Sequence, residues 1–521
     1  MSYRSERLRH RNLVAVGVAA ITSFAASRAF ADTVLDWNQH TIEATKGFNG
    51  TTGVGVALDT NLSTRIEAIE ARAVFDAINS IDRFSRGHYY YTARNSGSAA
   101  AAAAQAAHDV VLAEIPNPFL DATADARWTQ VRAWLDSQLA SDLESAQVAA
   151  TDGGIAAGKA AAAAAIAARA ADGWSPPGTA SAGTSYGAQL TPTSNPGKGV
   201  WRQSNAGASF VNPATGAPTG FDAAGVIQPR PGIDLNWRDL QPFSLTTQET
   251  TLLSRILPLA PAVGSPEYEV EFTWIGKWGV DQSTVRTDDQ TAQALYYRQD
   301  AEIYVNEVAR IAAAARRLRL DENAKLFALL DNAIGDARIA AWISKYEQKF
   351  WRPITALNAD PSGAVTNNYS IKPLSATPAH PANTSGHSST GASAAEILRA
   401  FFGDRISPDG KPVALSSLPW LKGTNNGTGN PESRVVSTFT QIQLETGASR
   451  LYLGVHWGFD NLQGQLIGLG VADAVLRSND PAAEGLRTVD SPGSLFNLEQ
   501  TLLARRDLYG LFGKDTGNRP H

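Results

Sequence analysis

The sequence predicts an all-α protein made of two helical bundles with a long irregular segment between them. Alanine, the residue with the highest helix propensity, is abundant and forms runs at 99–104 and 160–165. Long segments repeat apolar residues at helical spacing, and no segment with the alternating pattern of a strand competes with them. A chain of 521 residues with 43% hydrophobic content is long enough for at least two packed units.

The first 31 residues are typical of an export signal. Several arginines precede the apolar run LVAVGVAAITSF, and the residues up to Ala31 fit a small-x-small cleavage site. The alternative is a short membrane anchor, but this run is too short to span a bilayer comfortably. Because no later stretch is apolar and long enough to cross, we expect a secreted or periplasmic protein, cleaved near Ala31, with no membrane span.

The rest of the chain divides by its residue pattern. Residues 32–172 repeat helical patterns such as RIEAIEARAVFDAINSID and form the first predicted bundle. Residues 173–285 are rich in Pro, Gly, Ser and Thr, with scattered aromatic residues that could dock this segment as an ordered covering layer. The second predicted bundle is 286–480, followed by a C-terminal extension at 481–521. The net charge of −5, without a basic stretch after the signal, argues against nucleic acid as a partner.

Three segments of the second bundle carry chemically active residues. Lys345 and Arg352 lie seven residues apart, on one face of a helix that Pro353 is expected to end. Such a row is also typical of an ordinary solvated basic face. The second segment is TSGHSST, where a helix is expected to begin near Ser388. Its free backbone amides could bind an anion, although simple capping chemistry also explains the pattern.

The third segment, SRLYLGVHWGFD at 449–460, is apolar but contains Arg450, His456 and Asp460. His456 and Asp460 are four residues apart, so on one helix their side chains would meet. A carboxylate on one imidazole nitrogen fixes the tautomer and makes the other nitrogen a better nucleophile or ligand. Arg450 lies near the expected start of that helix. The alternative is a buried structural Arg–Asp pair beside a satisfied histidine.

Taken together, the three segments favour one site. Three cations and a helix N-terminus suit a tetrahedral oxyanion such as phosphate. One histidine backed by a carboxylate could attack the central atom, and a second could act as general acid or base.

The order K-x6-RP, SGH and SR-x5-H-x3-D resembles the superfamily of vanadium-dependent haloperoxidases and type 2 phosphatidic-acid phosphatases. The stretches VLDWN and RTDDQTAQAL resemble the secreted bacterial vanadium haloperoxidase-like proteins. Thr384 departs from the pattern, which usually has proline there.

This resemblance implies two four-helix bundles and a cofactor, vanadate, whose place phosphate can take. The residues that would hold the oxyanion are Lys345, Arg352, Ser385, Gly386 and Arg450, with Trp342 at a position that the peroxidases share. His456, oriented by Asp460, would bind vanadium directly. His387 would be the acid–base residue that handles peroxide.

The motifs leave two catalytic branches open. A haloperoxidase would use hydrogen peroxide to oxidise a halide and then small organic acceptors, whereas an exported acid phosphatase would form a phosphohistidine at His456. The extra helical unit and the covering segment favour the peroxidase. A non-catalytic oxyanion-binding protein would need neither His387 nor the His456–Asp460 pair. The oligomeric state stays open, a homo-oligomer included.

One residue bears on the choice of halide. His380 occupies a position that is phenylalanine in chloroperoxidases of similar pattern and histidine in the algal bromoperoxidases. The resemblance therefore implies that bromide or iodide is preferred over chloride. The alternative is that His380, flanked by two prolines, is a loop residue that points to solvent.

Overall fold

The computed structural model describes residues 32–46, 60–115, 122–174, 191, 193–203, 232–256, 259–365, 369–416 and 433–486. The helices in these ranges are α1 (Thr33–Lys46), α2 (Thr60–Asp82), α3 (Ala99–Glu114), α4 (Ala122–Ser145), α5 (Gly153–Arg169), α6 (Thr247–Leu253), α7 (Pro266–Trp278), α8 (Asp288–Tyr296), α9 (Ala301–Arg316), α10 (Leu320–Gln348), α11 (Pro353–Leu357), α12 (Gly386–Phe402), α13 (Phe439–Tyr452) and α14 (Gly458–Arg477). A small antiparallel pair, β1 (Val413–Ser416) with β2 (Ser433–Val436), places Ser416 opposite Ser433. The prediction of an all-α protein is confirmed.

The alanine-rich helices pack unusually closely. α2, α3 and α5 contact one another, and the alanines of α3 that face this contact are fully buried. At Gly158 of α5, a Cβ atom would lie 2.5 Å from the carbonyl oxygen of Ala102, so only glycine allows the two backbones to approach this far. The alanine runs therefore serve close helix packing as well as helix propensity.

The helix α2 is buried on its polar face too. Its apolar positions are buried as the spacing predicts, but so are Arg65, Glu67 and Arg72. The Arg65 Nε atom donates to Asp172, and the Arg72 Nε atom donates to Asn332. Buried charges need partners of this kind, so α2 lies inside the protein instead of presenting a polar face to solvent.

The helix α10 joins the two halves of the chain. It packs against α2 and also against α12 and α14. One hydrophobic core contains side chains from all four helices, including Ile69, Leu329, Ile397 and Val471. The helices before and after the segment 173–285 therefore share a core, and their division into two four-helix units stays a prediction.

The segment 173–285 is less irregular than expected. It contains a short 3-10 helix, Leu235–Asp239, and the helices α6 and α7. The prediction missed them because both are short, yet each begins at a strong cap. Thr246 and Glu249 form a capping box, and Ser265 caps a helix whose first residue is Pro266.

The irregular parts of this segment that the structure describes are docked onto the second half of the chain. Trp201 and Trp237 are buried, and the Trp201 amide donates to the carbonyl of Lys349. The expected export signal at 1–31 and the extension beyond 486 lie outside the described residues. Within the described ranges, no helix combines the length and the apolar character that crossing a membrane requires.

Candidate active site

The first cation of the site, Lys345, is fully buried on α10. Its Nζ atom donates to the carbonyl oxygens of Pro381 and Ala382 at 3.1 and 3.2 Å. It also lies 5.4 Å from the ring centroid of Trp342, one helical turn away. The solvated-face alternative is therefore wrong for Lys345.

Arg352 is the centre of the hydrogen-bond network. It occupies the N-cap position of α11 without a side-chain capping bond, because α10 ends at Gln348 with Lys349 in a left-handed conformation and not at Pro353 as expected. Its Nη1 lies 3.0 Å from His456 Nε2, and its Nη2 lies 2.9 Å from His380 Nδ1. An arginine can only donate, so each of these histidine nitrogens accepts.

The other two contacts of Arg352 are to backbone carbonyls. Its Nε donates to the carbonyl oxygen of His380 at 2.9 Å, and its Nη1 donates to that of Val455 at 2.6 Å. The His380 side chain is only 8% exposed, and its ring centroid is 5.0 Å from that of Trp342. His380 therefore belongs to the cluster and does not point to solvent.

The N-terminus of α12 meets the cluster at Ser385, which is the N-cap. Its Oγ accepts from the amide of Ser388 at 3.2 Å, so the capping alternative is correct for this side chain. Its own amide donates to the carbonyl oxygen of Asp460 at 3.0 Å, so that amide is not free for an anion as expected. The first amides inside a helix lack intrahelical acceptors, so Gly386 and His387 supply the donors here.

Two neighbours of Ser385 explain the sequence of this turn. A Cβ atom on Gly386 would lie 3.0 Å from Cζ3 of Trp342, so glycine lets the indole pack against the helix start. The Thr384 Oγ1 donates to the carbonyl oxygen of Asp460 at 2.9 Å. A hydrogen bond thus fixes the residue that departs from the superfamily pattern.

The stretch SRLYLGVHWGFD is not one helix as predicted. α13 ends at Tyr452, and α14 begins at Gly458. Between them Gly454 has φ of +75°, and its Cβ would lie 2.0 Å from the carbonyl oxygen of Gly279, so the chain turns at a close backbone contact. Arg450 therefore lies in the last turn of α13, not at the start of a helix.

The predicted pair nevertheless forms across this break. His456 Nδ1 and Asp460 Oδ2 are 2.9 Å apart, and the Trp457 amide donates to the same oxygen at 3.0 Å. Asp460 reaches both groups because it is the third residue of α14, where a side chain folds back over the helix start. Since Arg352 donates to Nε2 of His456, the proton of this imidazole is on Nδ1.

The turn between α8 and α9 supplies two backbone acceptors. Arg450 Nη1 donates to the carbonyl oxygen of Tyr297 at 3.4 Å, and His387 Nε2 lies 3.0 Å from that of Gln299. Sequence reasoning missed both residues, because a backbone carbonyl leaves no signal in the side-chain pattern. The imidazole of His387 must donate to this carbonyl, so its Nδ1 is the basic nitrogen.

Burial makes the positive charges unfavourable. Burial lowers the pKa of Arg352 to about 9 and that of Arg450 to about 10. Burial, and then the charge of Arg352, lowers the pKa of Lys345 well below its ordinary value. Burial also lowers the pKa of the histidines at 380, 387 and 456, and the next largest cause is the charge of Lys345, Arg450 and Arg352 respectively, so all three imidazoles are neutral near pH 7.

Among the described residues, Asp460 is the one carboxyl group that is hydrogen-bonded to a side chain of this cluster, through His456. Burial raises the pKa of Asp460 to about 7, although the Trp457 amide, Lys345 and Arg352 act in the opposite direction. The Nε atom of Arg450 is buried and has no partner among the described residues. Excess buried positive charge, an unused donor and the amides at the start of α12 together fit a bound oxyanion.

Comparisons with known proteins place the site within a domain of known family. Residues 325–485 match the family described as the VCPO second helical-bundle domain. The vanadium chloroperoxidase of Curvularia inaequalis is 28% identical over 228 residues, which cover 34% of this chain and 37% of that protein. The chain thus matches little more than a third of the length of this curated relative.

Two solved structures have a similar fold. A bacterial vanadium-dependent iodoperoxidase superposes with a TM-score of 0.55 at 18% identity, over 84% of this chain and 94% of that one. A holo-type bacterial vanadium-dependent chloroperoxidase gives 0.56 at 16% identity, over 80% and 93%. The matched domain contains Lys345, Arg352, Ser385, Arg450 and His456, the positions that the motifs identified. Residues 325–485 are thus similar to the second helical-bundle domain of the vanadium chloroperoxidases.

Proposed function

We propose that this protein is a vanadate-dependent haloperoxidase that uses hydrogen peroxide to oxidise a halide, with bromide or iodide preferred over chloride. The observation that carries the proposal is the convergence of Lys345, Arg352 and Arg450 around His456, whose Nδ1 is held by Asp460. An anion-binding role alone would require the cations but not this oriented imidazole.

The residues proposed to hold vanadate are Lys345, Arg352, Arg450, Ser385 through its hydroxyl and Gly386 through its amide, with His456 as the direct ligand of vanadium. When bound, vanadate supplies a Lewis-acidic centre that activates hydrogen peroxide toward a halide. Asp460 keeps the Nδ1 proton of His456 in place, so the lone pair that a ligand needs is on Nε2, where it accepts from Arg352 Nη1 in this structure. Phosphate has the same shape and charge, and it should compete for the same donors.

His387 is the residue proposed to move protons. Its imidazole is neutral, it is less buried than His456, and its Nε2 proton is committed to the carbonyl of Gln299. The basic Nδ1 can therefore take a proton from hydrogen peroxide and return it to the hypohalous acid product. This division assigns anion binding to His456 and proton transfer to His387.

The halide preference rests on His380. Its Nδ1 accepts from Arg352, so the same nitrogen cannot also donate to the nearby carbonyl of Pro381. The proton is then on Nε2 of a ring whose centroid lies 5.0 Å from that of the Trp342 indole. A polar N–H group in this position makes the pocket less apolar than a phenylalanine would, which agrees with a preference for the more easily oxidised bromide and iodide.

The test is a bromide-oxidation assay on purified protein, with and without vanadate, together with a phosphate-monoester hydrolysis assay. We expect bromide oxidation that depends on vanadate and is inhibited by phosphate. Vanadate-independent hydrolysis without bromide oxidation would instead support a phosphatase that acts through a phosphohistidine at His456. Small organic acceptors are the proposed final substrates, and secretion through the signal at 1–31 remains part of the proposal.

A further inference from the structure

A second carboxylate lies at the start of α14, close to the His456–Asp460 pair. The Oε2 atom of Glu271, on α7, accepts from the amide of Gly458 at 2.8 Å. Gly458 is the first residue of α14, and the preceding amide, that of Trp457, donates to Asp460. Adjacent amides at this helix N-terminus thus bind two different carboxylates.

The residue opposite Glu271 is shaped for this contact. A Cβ atom on Gly458 would lie 2.4 Å from Oε1 and 2.6 Å from Oε2 of Glu271. Any larger residue at this position would push the carboxylate away from the amide. Gly458 therefore leaves room for Glu271 to cap the helix from outside.

An aromatic contact on the same face of α7 holds the two helices together. Tyr268 is three residues before Glu271, which places both side chains on one face of the helix. The Tyr268 ring centroid is 5.3 Å from that of Trp457, which is buried among Phe350 and Phe459. α7 is thus packed against the residues that link His456 to Asp460.

We propose that Glu271 is a positioning residue for the His456–Asp460 pair, and that it acts by capping the first turn of α14 through Gly458. This inference rests on the proposed function, because its consequence is the affinity of His456 for vanadate. The cap fixes the turn from which Asp460 reaches back to Nδ1 of His456. Without the cap, the first turn of α14 is free to open, and the imidazole loses the acceptor that holds its Nδ1 proton and its orientation.

Charge alone predicts the opposite result, which makes the proposal testable. Glu271 adds negative charge near Asp460, and its removal would favour a bound anion electrostatically. Loss of a residue that orients a metal ligand, in contrast, typically weakens metal affinity about 10- to 100-fold. The sign of the change therefore separates positioning from simple repulsion.

The experiment measures vanadate affinity by equilibrium dialysis in Glu271→Gln and Glu271→Ala. We expect near wild-type affinity in Glu271→Gln, whose amide oxygen can still accept from Gly458, and a loss of about 10- to 100-fold in Glu271→Ala. Glu269→Gln, an exposed change on the same helix, is the matched control and should bind as the wild type does. Equal losses in Gln and Ala, or tighter binding in Ala, would overturn the proposal.

Gly458→Ala provides a second variant, in case Glu271→Ala fails to fold. It should weaken binding in the wild-type background but have little further effect beside Glu271→Ala, since the carboxylate it displaces is gone. The ¹⁵N signals of the His456 side chain give a readout that needs no vanadate. They should show an Nδ1-protonated imidazole with a strong Nδ1–H hydrogen bond in the wild type and a weakened Nδ1–H hydrogen bond in Glu271→Ala.

Unchanged His456 signals together with unchanged affinity in Glu271→Ala would contradict the positioning role. If the wild type binds no vanadate, the proposed function fails, and the His456 signals alone then decide whether Glu271 positions the pair.

Discussion

Replacement of Asp460 by alanine should weaken vanadate binding while the rest of the site stays in place. The Asp460 side chain contacts His456 Nδ1 and the Trp457 amide. Its backbone carbonyl separately accepts from Thr384 and Ser385, and any residue at 460 keeps those two bonds. The substitution therefore removes the contact that orients His456 and keeps the hydrogen bonds that hold the start of α12.

The size of the effect follows from two opposing contributions. Loss of a carboxylate that orients a ligating imidazole typically weakens metal affinity about 10- to 100-fold, which is about 1.4 to 2.8 kcal/mol. Loss of its negative charge would favour the anion, but burial raises the pKa of Asp460 to about 7, so near pH 6 most of that charge is already absent. At pH 6 we therefore expect the weakening to dominate.

Equilibrium dialysis at pH 6 and 25 °C measures the vanadate affinity of each variant directly. A thermal unfolding scan of each variant first checks that it is folded at this temperature. Asp473→Ala is a matched control, because Asp473 is on the same helix but pairs with Arg477. We expect the control to bind as the wild type does. Unchanged or tighter binding in Asp460→Ala would refute the claim that Asp460 prepares His456 as a ligand.

Three further predictions concern the histidines and Glu271. His456→Ala should abolish tight vanadate binding, whereas His387→Ala should keep binding in dialysis and lose turnover; equal loss of vanadate in both would contradict their separate roles. His380→Phe should raise chloride oxidation relative to bromide in a halide competition assay, and rapid chlorination by the unmodified protein would defeat the halide proposal alone. Burial raises the pKa of Glu271 to about 7, above the ordinary value of about 4.3. The protonated side chain therefore stabilises the folded state fully below about pH 4.3, and this stabilisation is lost as the pH rises through 7. In denaturant unfolding, the free energy of unfolding of the wild type should therefore fall by up to about 3 kcal/mol relative to that of Glu271→Gln between pH 4 and 8. A difference between the two proteins that does not change with pH would show that the carboxyl group is not buried in this way.

The site residues could be predicted from sequence because their motifs join chemistry to local spacing. The motifs predict that Lys345 and Arg352 lie near His456, and in the structure Arg352 Nη1 is 3.0 Å from His456 Nε2, although not by the route expected. The spacing predicts that Lys345 and Arg352 share one helix, whereas the structure turns the chain at Lys349 and puts Arg352 at the N-cap position of α11. Similarly, His456 and Asp460 meet across a helix start instead of along one helix, since the i, i+4 spacing also suits a capping side chain.

Other features depend on contacts between segments that are distant in sequence, so they cannot be predicted from a local sequence pattern. The carbonyls of Tyr297 and Gln299 reach Arg450 and His387 only after α8 and α9 have packed against α12 and α13. The polar face of α2 resembles a solvated face in sequence, because its partners come from elsewhere in the chain. For example, Arg72 finds Asn332 on α10, 260 residues away.

The most direct test of the central claim is a vanadate titration of protein stripped of vanadium, followed by bromide-dependent peroxidase activity and by vanadium content. We expect negligible activity at the start and a rise that saturates at about one vanadate per chain, with phosphate as a competitor. Arg352→Lys should need far more vanadate, since a lysine cannot reproduce the several directed hydrogen bonds of the guanidinium. Full bromide oxidation in the stripped protein, or none after one vanadate is bound, would contradict the account.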